Sequence, residues 1–162
     1  MVRMRKQKVY LETTIFNYYF DKTKNAQPVT VAFFEAVGSG QFDGYTSIYT
    51  YNELAKAPEP RRSNMLNLIE KFNISLLKTS EEVEKLADEY IISNIIPEKK
   101  NYDAFHIAIA SVEEMDIILS YNFKHINKLK TKNMIPAINQ KLGYRNIFIA
   151  QPEEVFDYEI DI

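Results

Sequence analysis

The sequence contains no cysteine, which excludes disulfide frameworks, zinc fingers, iron–sulfur clusters and thiol catalysis. Histidine is nearly as scarce, and the two that occur, His106 and His125, are too few for a histidine-rich metal site. Any bound metal ion must therefore be held by oxygen atoms. Oxygen ligands are typical of hard divalent cations, so the sequence allows Mg²⁺ or Mn²⁺ as a cofactor.

Glycine and proline are also rare, at four and six among 162 residues, so collagen-like and low-complexity chains are excluded. No apolar run reaches the length of a membrane span, and the amino-terminal segment MVRMRKQKVYL lacks the apolar centre of a signal peptide. Hydrophobic residues make up 46% and charged residues 26% of the chain, which is an ordinary globular composition. We therefore expect a single soluble, cytoplasmic domain over residues 1–162, with no membrane partner.

Short apolar runs alternate with stretches of helical periodicity along most of the chain. The predicted strands are Lys8–Glu12, Gly44–Ser47, Ile74–Leu77, Asp116–Ser120 and Asn146–Ala150. Helices are predicted over Thr13–Phe20, Val29–Val37, around Tyr51–Leu54, over Arg61–Phe72, from a capping box at Thr79 and Glu82 to Ser93, from Asp103 to about Met115, and along a lysine-rich stretch after the fourth strand. This alternation predicts βαβ units and a mostly parallel sheet with helices on both faces, which is a three-layer α/β/α domain.

Three acids and one amide lie where the predicted strands feed into the following elements. Glu12 ends the first strand, Glu53 lies on the helix after the second, Asp103 opens the buried helix, and Asn122 follows the fourth strand. Ligands of open α/β sheets bind beyond the carboxyl ends of the strands, so we expect these side chains to converge. A carboxylate cluster without histidine or cysteine suits Mg²⁺ or Mn²⁺ and in-line phosphoryl chemistry.

Each candidate also has a simpler structural interpretation. Asp103 suits a helix cap or first turn, and Glu53 suits a solvated helix surface. Thr14 either orients Glu12 or caps the next helix. His106 lies in an almost wholly apolar helix, which favours a hydrogen-bonded core histidine over a catalytic one.

The basic residues are concentrated in one part of the chain. Between Ile117 and Pro152 there are six bases and no Asp or Glu, although the net charge of the chain is −2. This segregation is typical either of a phosphate-binding patch or of a solvated helix face. The candidates for contact with an anionic partner are Lys124, His125, Lys128, Lys130 and Lys132.

Three segments resemble the PIN-domain family of nucleases, in order and over essentially the whole chain. KVYLETTIFNYYF is similar to the first strand and turn of that family. YDAFHIAIASVEEMDIILSYNFKHI resembles the stretch in which an acid opens a D-A-x-H-x-A-x-A helix before a buried strand and a polar turn, and GYRNIFIAQPEEVF is similar to the last strand and its P-E-E ending. The second segment carries the most specific part of the resemblance.

The resemblance implies a PIN-like, Rossmann-like α/β fold and Mg²⁺- or Mn²⁺-dependent cleavage of RNA. It also implies the toxin role of a VapC-like toxin–antitoxin pair, with a small antitoxin protein as partner and a homodimer or higher oligomer as the assembly. Carried over residue by residue, the resemblance assigns the metal to Glu12, Asp103 and Glu53, the last directly or through water. It assigns Thr14 the orientation of Glu12, and Asn122 a water or a phosphate oxygen.

This sequence departs from the family pattern at two of these positions, where Glu12 and Asn122 stand in place of aspartates. Glu12 is one methylene longer, and Asn122 carries no charge. A catalytically weak or inactive PIN-fold protein that binds RNA or a protein partner is therefore the alternative function. Other classes are excluded because the paired acids of haloacid-dehalogenase-like phosphatases and receiver domains are absent, as is a glycine-rich phosphate loop.

Overall fold

A computed structural model describes residues 5–157 of the chain; residues 1–4, at the start of the basic amino-terminal segment, and residues 158–162 lie outside the described residues. Five strands form one sheet in the order β3-β2-β1-β4-β5, and every neighbouring pair is parallel. The strands are β1 (Lys8–Leu11), β2 (Asp43–Ser47), β3 (Ser75–Leu77), β4 (Ile117–Leu119) and β5 (Phe148–Ala150). The predicted α/β class and parallel sheet are confirmed.

The helices lie in two layers, one on each face of the sheet. They are α1 (Thr13–Phe20), α2 (Gln27–Gly38), α3 (Ile48–Leu54), α4 (Arg61–Lys71), α5 (Glu81–Ile92), α6 (Asn101–Val112), α7 (Leu129–Lys141) and α8 (Pro152–Val155), with a 3₁₀ turn at Glu98–Lys100. Among the described residues, no helix combines the length and the apolar character that crossing a membrane requires.

The side chains of β1 alternate between the two halves of the core, as the two-residue period of a strand dictates. Val9 and Leu11 pack with residues of α1, α2 and α4, whereas Tyr10 packs on the other face with α5 and α6. Helix α6 is buried nearly all round, as its apolar sequence predicts. The sheet is therefore covered on both faces.

The order of the strands fixes where a ligand site must lie. The chain moves outward from β1 through β2 to β3 and then crosses to the other side of β1 to form β4 and β5. The direction of winding thus reverses between β1 and β4, and open α/β sheets bind ligands at such a point. Glu12 follows β1 directly, and its N–H donates to the carbonyl of Leu119, the last residue of β4 (3.1 Å).

Three predicted helix starts were wrong, and each has a local cause. Ser80 caps α5 by accepting from the N–H of Val83, whereas the hydroxyl of Thr79 is bonded to that of Tyr49. Helix α2 begins at Gln27, because Pro28 fits a first helical turn, where no N–H is required. Helix α6 begins at Asn101, so that Asp103 lies within its first turn rather than opening it.

Candidate active site

The carboxyl ends of the central strands open into a cleft of about 620 Å³. The residues that line it come from the β1–α1 junction, α3, the segment leading into α6, and the loop after β4. They are Glu12, Thr13, Thr14, Asn17, Glu53, Lys56, Lys99, Lys100, Asn101, Tyr102, Asp103, Asn122, Lys124 and His125. All five residues that sequence analysis assigned to catalysis therefore lie in one cleft.

Glu12 is the innermost acid of the cleft, with only 3% of its surface exposed. Its Oε1 atom accepts three hydrogen bonds: from the N–H of Thr14 (3.2 Å), from the Thr14 hydroxyl (2.6 Å) and from the Ser120 hydroxyl (2.7 Å). Burial raises the pKa of Glu12, while the positive charge of nearby His106 and these hydrogen bonds lower it in part. No described residue bonds to Oε2, so one oxygen of this carboxylate is anchored and the other is free.

Thr14 has a defined orientation as well as a defined partner. Its hydroxyl oxygen accepts from the N–H of Tyr121 (2.7 Å), and its proton is therefore directed to Glu12. Thr14 thus connects the end of β1 to the loop after β4. The expected orienting contact to Glu12 is present in the structure.

Glu53 lies near the end of α3 and is held by its Oε1 atom. This atom accepts from the Thr13 hydroxyl (2.6 Å) and from Nε2 of His106 (2.6 Å). Burial alone would raise the pKa of Glu53, but the hydrogen bond and charge of His106, together with Thr13, outweigh it, and the pKa is lowered. The side chain is 29% exposed, and its Oε2 has no partner among the described residues, so Glu53 is not the freely solvated acid of the simpler interpretation.

Asp103 is held by one contact from the opposite wall of the cleft. Its Oδ1 accepts from Nδ2 of Asn122 (3.1 Å), whereas its Oδ2 is buried and has no partner among the described residues. Burial raises the pKa of Asp103 despite the opposing effects of His106, His125 and Asn122. A buried carboxylate oxygen without a partner is costly unless a ligand satisfies it.

Asn122 is committed to two protein partners. Its Nδ2 donates to Asp103, and its Oδ1 accepts from the N–H of His125 (3.1 Å). This assignment of the two amide atoms is fixed chemically, because a carboxylate needs a donor and an N–H needs an acceptor. The carbonyl oxygen that sequence analysis offered to a water or a phosphate is thus bonded to the backbone, and the direct effect of Asn122 is to orient Asp103.

His106 is the hydrogen-bonded core histidine that sequence analysis favoured, and it also lies beside the candidate site. It is fully buried, yet one of its nitrogen atoms and one carboxylate oxygen from each of Glu12 and Glu53 lie within 4.8 Å of one another. Its Nδ1 is bonded to the hydroxyl of Tyr10 (2.6 Å) and its Nε2 to Glu53. Burial alone would lower the pKa of His106, but the hydrogen bond to Glu53 and the three nearby carboxylates raise it.

The predicted phosphate contacts are spread over two grooves. Lys124 and His125 line the cleft itself, whereas Lys128 and Lys130 line a neighbouring groove of about 430 Å³ that shares His125. Lys130 also donates to the carbonyl of Asn94 (2.8 Å). Lys132 is half-buried on α7 and lines neither groove.

Three lysines that sequence analysis missed line the cleft together with Lys124. They are Lys56, at the end of α3, and Lys99 and Lys100, in the 3₁₀ turn before α6. All four are exposed, and within residues 5–157 none lies within 4.0 Å of a carboxylate oxygen. The cleft therefore has an acidic floor and a basic rim.

The donor set fits a hard divalent cation. Glu12, Glu53 and Asp103 each have one oxygen anchored by the protein and one without a protein partner in the described part of the chain. The buried Oδ2 of Asp103, which has no partner among the described residues, is the acceptor that a bound cation would satisfy. Oxygen ligands of this kind suit Mg²⁺ or Mn²⁺.

Comparison with known proteins shows a similarity in fold. No protein-family model and no curated protein sequence matches the chain. Among solved structures, it is similar to the crystal structure of VapC20 from Mycobacterium tuberculosis, described as a sarcin–ricin loop cleaving toxin, with a TM-score of 0.52 at 9% sequence identity. The match covers 72% of this chain and 92% of that one. Together with the all-parallel five-stranded sheet, it confirms the predicted PIN-like α/β fold.

Proposed function

We propose that the protein is a metal-dependent endoribonuclease that hydrolyses phosphodiester bonds of RNA, and that it is the toxin of a toxin–antitoxin pair. The observation that carries the proposal is that three carboxylates, Glu12, Glu53 and Asp103, line the same cleft, and that each has one oxygen to which no described residue bonds. The fold is similar to that of a protein described as a sarcin–ricin loop cleaving toxin, which supports the same reaction class.

Glu12, Glu53 and Asp103 would hold Mg²⁺ or Mn²⁺. When bound, such an ion lowers the pKa of a water molecule and offsets negative charge on a phosphate. The work of the chain is to keep the carboxylates in place: Thr14 and Ser120 hold Glu12, Thr13 and His106 hold Glu53, and Asn122 holds Asp103. Anchoring of this kind keeps ligands within the narrow tolerance that catalysis requires.

The charge pattern of the cleft suits an RNA backbone. The rim lysines attract phosphates, whereas the three carboxylates of the floor repel them unless a cation is present. Substrate binding and cation binding should therefore support each other. A basic stretch without nearby acids, such as the sequence has between Ile117 and Pro152, would attract RNA phosphates whether or not a cation is bound.

The alternative, a weak or inactive PIN-fold protein that binds RNA or a protein partner, is favoured by one observation. Asn122 contributes no charge, and its carbonyl oxygen is bonded to the backbone, so the floor has three carboxylates rather than four. Such a protein would keep the basic rim and bind RNA without cutting it.

Incubation of the purified protein with RNA in Mn²⁺ or Mg²⁺, and in EDTA, separates the two functions. We expect cleavage with either metal ion and none with EDTA, and we expect DNA of the same sequence to remain intact. An RNA hairpin of the sarcin–ricin loop is a suitable first substrate beside an unstructured RNA. Intact RNA in every lane, together with measurable RNA binding, would establish the non-catalytic alternative.

The toxin role has its own test in cells. We expect induced expression of the protein to arrest growth, and co-expression of a small antitoxin encoded beside it to restore growth by binding the toxin. We also expect the purified protein to form a homodimer or a higher oligomer. Growth arrest by the Asp103→Asn variant as severe as that by the wild type would separate toxicity from RNA cleavage.

The rim lysines should determine how RNA affinity depends on salt. Replacing Lys99 and Lys100 together by Ala should make the slope of log affinity against log salt shallower by about 1.4, since each phosphate contact on a single strand contributes about 0.7. The measurement is RNA binding by fluorescence anisotropy in EDTA, at several salt concentrations.

Two further lysine pairs complete this experiment. Replacing Lys128 and Lys130 by Ala tests whether RNA also follows the neighbouring groove, and a smaller change in slope is expected there. Lys132 and Lys141, both on α7, serve as the matched control, for which no change is expected. Equal slopes for the cleft pair and the α7 pair would contradict a role of the rim in phosphate binding.

A further inference from the structure

A chain of short hydrogen bonds runs behind the cleft, through the core, from one end of α3 to the other. Ser47, the residue that caps α3, is bonded by its hydroxyl to the hydroxyl of Tyr10 on β1 (2.6 Å). The same Tyr10 oxygen is bonded to Nδ1 of His106 on α6 (2.6 Å), and Nε2 of His106 is bonded to Glu53 on α3 (2.6 Å). Ser47, Tyr10 and His106 are completely buried.

The positions of the protons in this chain decide what His106 can do. Burial raises the pKa of Tyr10, which is therefore a neutral phenol with one proton to donate. If Tyr10 donates to Nδ1, the single proton of a neutral imidazole lies on Nε2. If Nδ1 carries a proton and donates to Tyr10, Nε2 must still carry one, because the carboxylate oxygen of Glu53 at 2.6 Å can only accept, and the imidazole is then a cation. In both arrangements Nε2 donates to Glu53 Oε1.

A proton on Nε2 leaves no lone pair there for a metal ion, and Nδ1 is directed into the core toward Tyr10. His106 is therefore close to Glu12 and Glu53 without being available as a ligand in this arrangement. Its effect is on Glu53 instead. With donors from Thr13 and His106 on the same oxygen, Oε1 is fixed, and Oε2 remains without a partner among the described residues.

We propose that His106 is a positioning residue that holds Glu53 ready for the divalent cation, and that Tyr10 and Ser47 in turn fix the imidazole ring. The inference rests on the proposed metal-dependent function, and it assigns three buried residues to the support of one metal ligand. Without this support, Thr13 would be the remaining anchor of a glutamate near the end of a short helix, and a less restricted side chain would have to be ordered each time the cation binds.

Binding of Mn²⁺ alone, followed through the electron paramagnetic resonance signal of the free ion, tests the inference without any cleavage assay. His106→Leu should raise the dissociation constant for Mn²⁺ by about 10–100-fold, as loss of a supporting residue typically does. His106→Gln keeps an N–H donor near the position of Nε2 and should stay within about threefold of the wild type. Gln losing as much affinity as Leu would overturn the proposal, because a ligand rather than a support would then have been removed.

A matched pair of tyrosine variants keeps the test decisive if His106→Leu fails to fold. Tyr10→Phe removes a buried hydroxyl bonded to His106, and Tyr90→Phe removes a buried hydroxyl bonded to Asn139 and Ser111 in the same half of the core. Both should lower the free energy of unfolding measured with urea in EDTA. Only Tyr10→Phe should weaken Mn²⁺ binding, by several-fold.

Each remaining result has a definite meaning. Equal Mn²⁺ affinity of Tyr10→Phe, Tyr90→Phe and the wild type would overturn the positioning role while leaving the proposed nuclease intact. Failure of the wild-type protein itself to bind Mn²⁺ would overturn the proposed function and this inference with it. A loss confined to Tyr10→Phe and His106→Leu supports the positioning role.

Discussion

The Asp103→Asn variant should cleave RNA about 10²-fold more slowly than the wild type or worse, because a bound metal ion supplies several kcal/mol of charge stabilisation and about 1.4 kcal/mol corresponds to tenfold in rate. The same variant should be more stable than the wild type without metal, by about 1 kcal/mol. The reason is that Asp103 has a buried oxygen without a partner among the described residues, and that burial, together with the negative charge of Glu53, raises its pKa. Single-turnover cleavage in saturating Mn²⁺ and urea unfolding in EDTA measure the two effects.

Asp88→Asn provides the matched control for this prediction. Asp88 is exposed on α5, outside the cleft, so the same chemical change there should leave both cleavage and stability within experimental error. Full cleavage by a folded Asp103→Asn protein would show that the metal is held elsewhere. A variant that is inactive and also much less stable than the wild type would indicate that Asp103 has a structural role instead.

The order of the strands and helices follows from hydrophobic patterns that act over a few residues. β1 is predictable because Val9, Tyr10 and Leu11 form a short apolar run beside a charged break, and α6 because its apolar residues continue around the helix. Caps are harder to predict, since they depend on competition between partners. Thr79 and Ser80 both suit the cap of α5; Ser80 takes that position, and the hydroxyl of Thr79 is bonded to Tyr49, which lies thirty residues away in sequence.

The location of the site was predictable in the same way, but the hydrogen bonds between its residues were not. The carboxyl ends of parallel strands meet at one edge, so Glu12 and Asn122 had to be neighbours once their strands were recognised. The partner of Glu53 was not predictable, because His106 reaches it from α6 across 53 positions of sequence. A histidine in an otherwise apolar helix correctly indicated a hydrogen-bonded core residue, but the helix sequence does not show which acid the histidine bonds.

The rim was missed for a different reason. The sequence has its greatest excess of bases between Ile117 and Pro152, but a local excess of charge does not indicate which side chains line the cleft. The doublet Lys99–Lys100 lies among acids in sequence, yet it directly precedes α6 and so lies beside Asp103. Position relative to a candidate ligand was therefore a better guide than charge density.

The longer side chain of Glu12, where the family pattern has aspartate, is accommodated by its anchors. The N–H and hydroxyl of Thr14 and the hydroxyl of Ser120 all converge on Oε1. Three donors on one oxygen fix a side chain that has one more rotatable bond than aspartate. The extra methylene therefore changes the reach of the ligand without leaving it mobile.

Asn122→Asp should give the largest loss of stability among the cleft variants in the absence of metal. Asn122 donates its amide hydrogen to Asp103 across 3.1 Å, and an aspartate there would replace this donor by a second negative charge. Two carboxylates at such a distance repel strongly at neutral pH, and we expect a loss of about 1–3 kcal/mol in EDTA. With a cation bound, the added charge becomes favourable, and the Mn²⁺ concentration for half-maximal cleavage should fall several-fold.

The comparison that isolates this effect is the difference in melting temperature between EDTA and saturating Mn²⁺. That difference should be larger for Asn122→Asp than for the wild type, because the cation removes a repulsion that the wild type does not have. Asn133→Asp, which adds the same charge at an exposed position of α7, should leave the difference unchanged. If Asn122→Asp has the same melting temperature as the wild type in EDTA and the same dependence on Mn²⁺, then Asn122 does not orient Asp103.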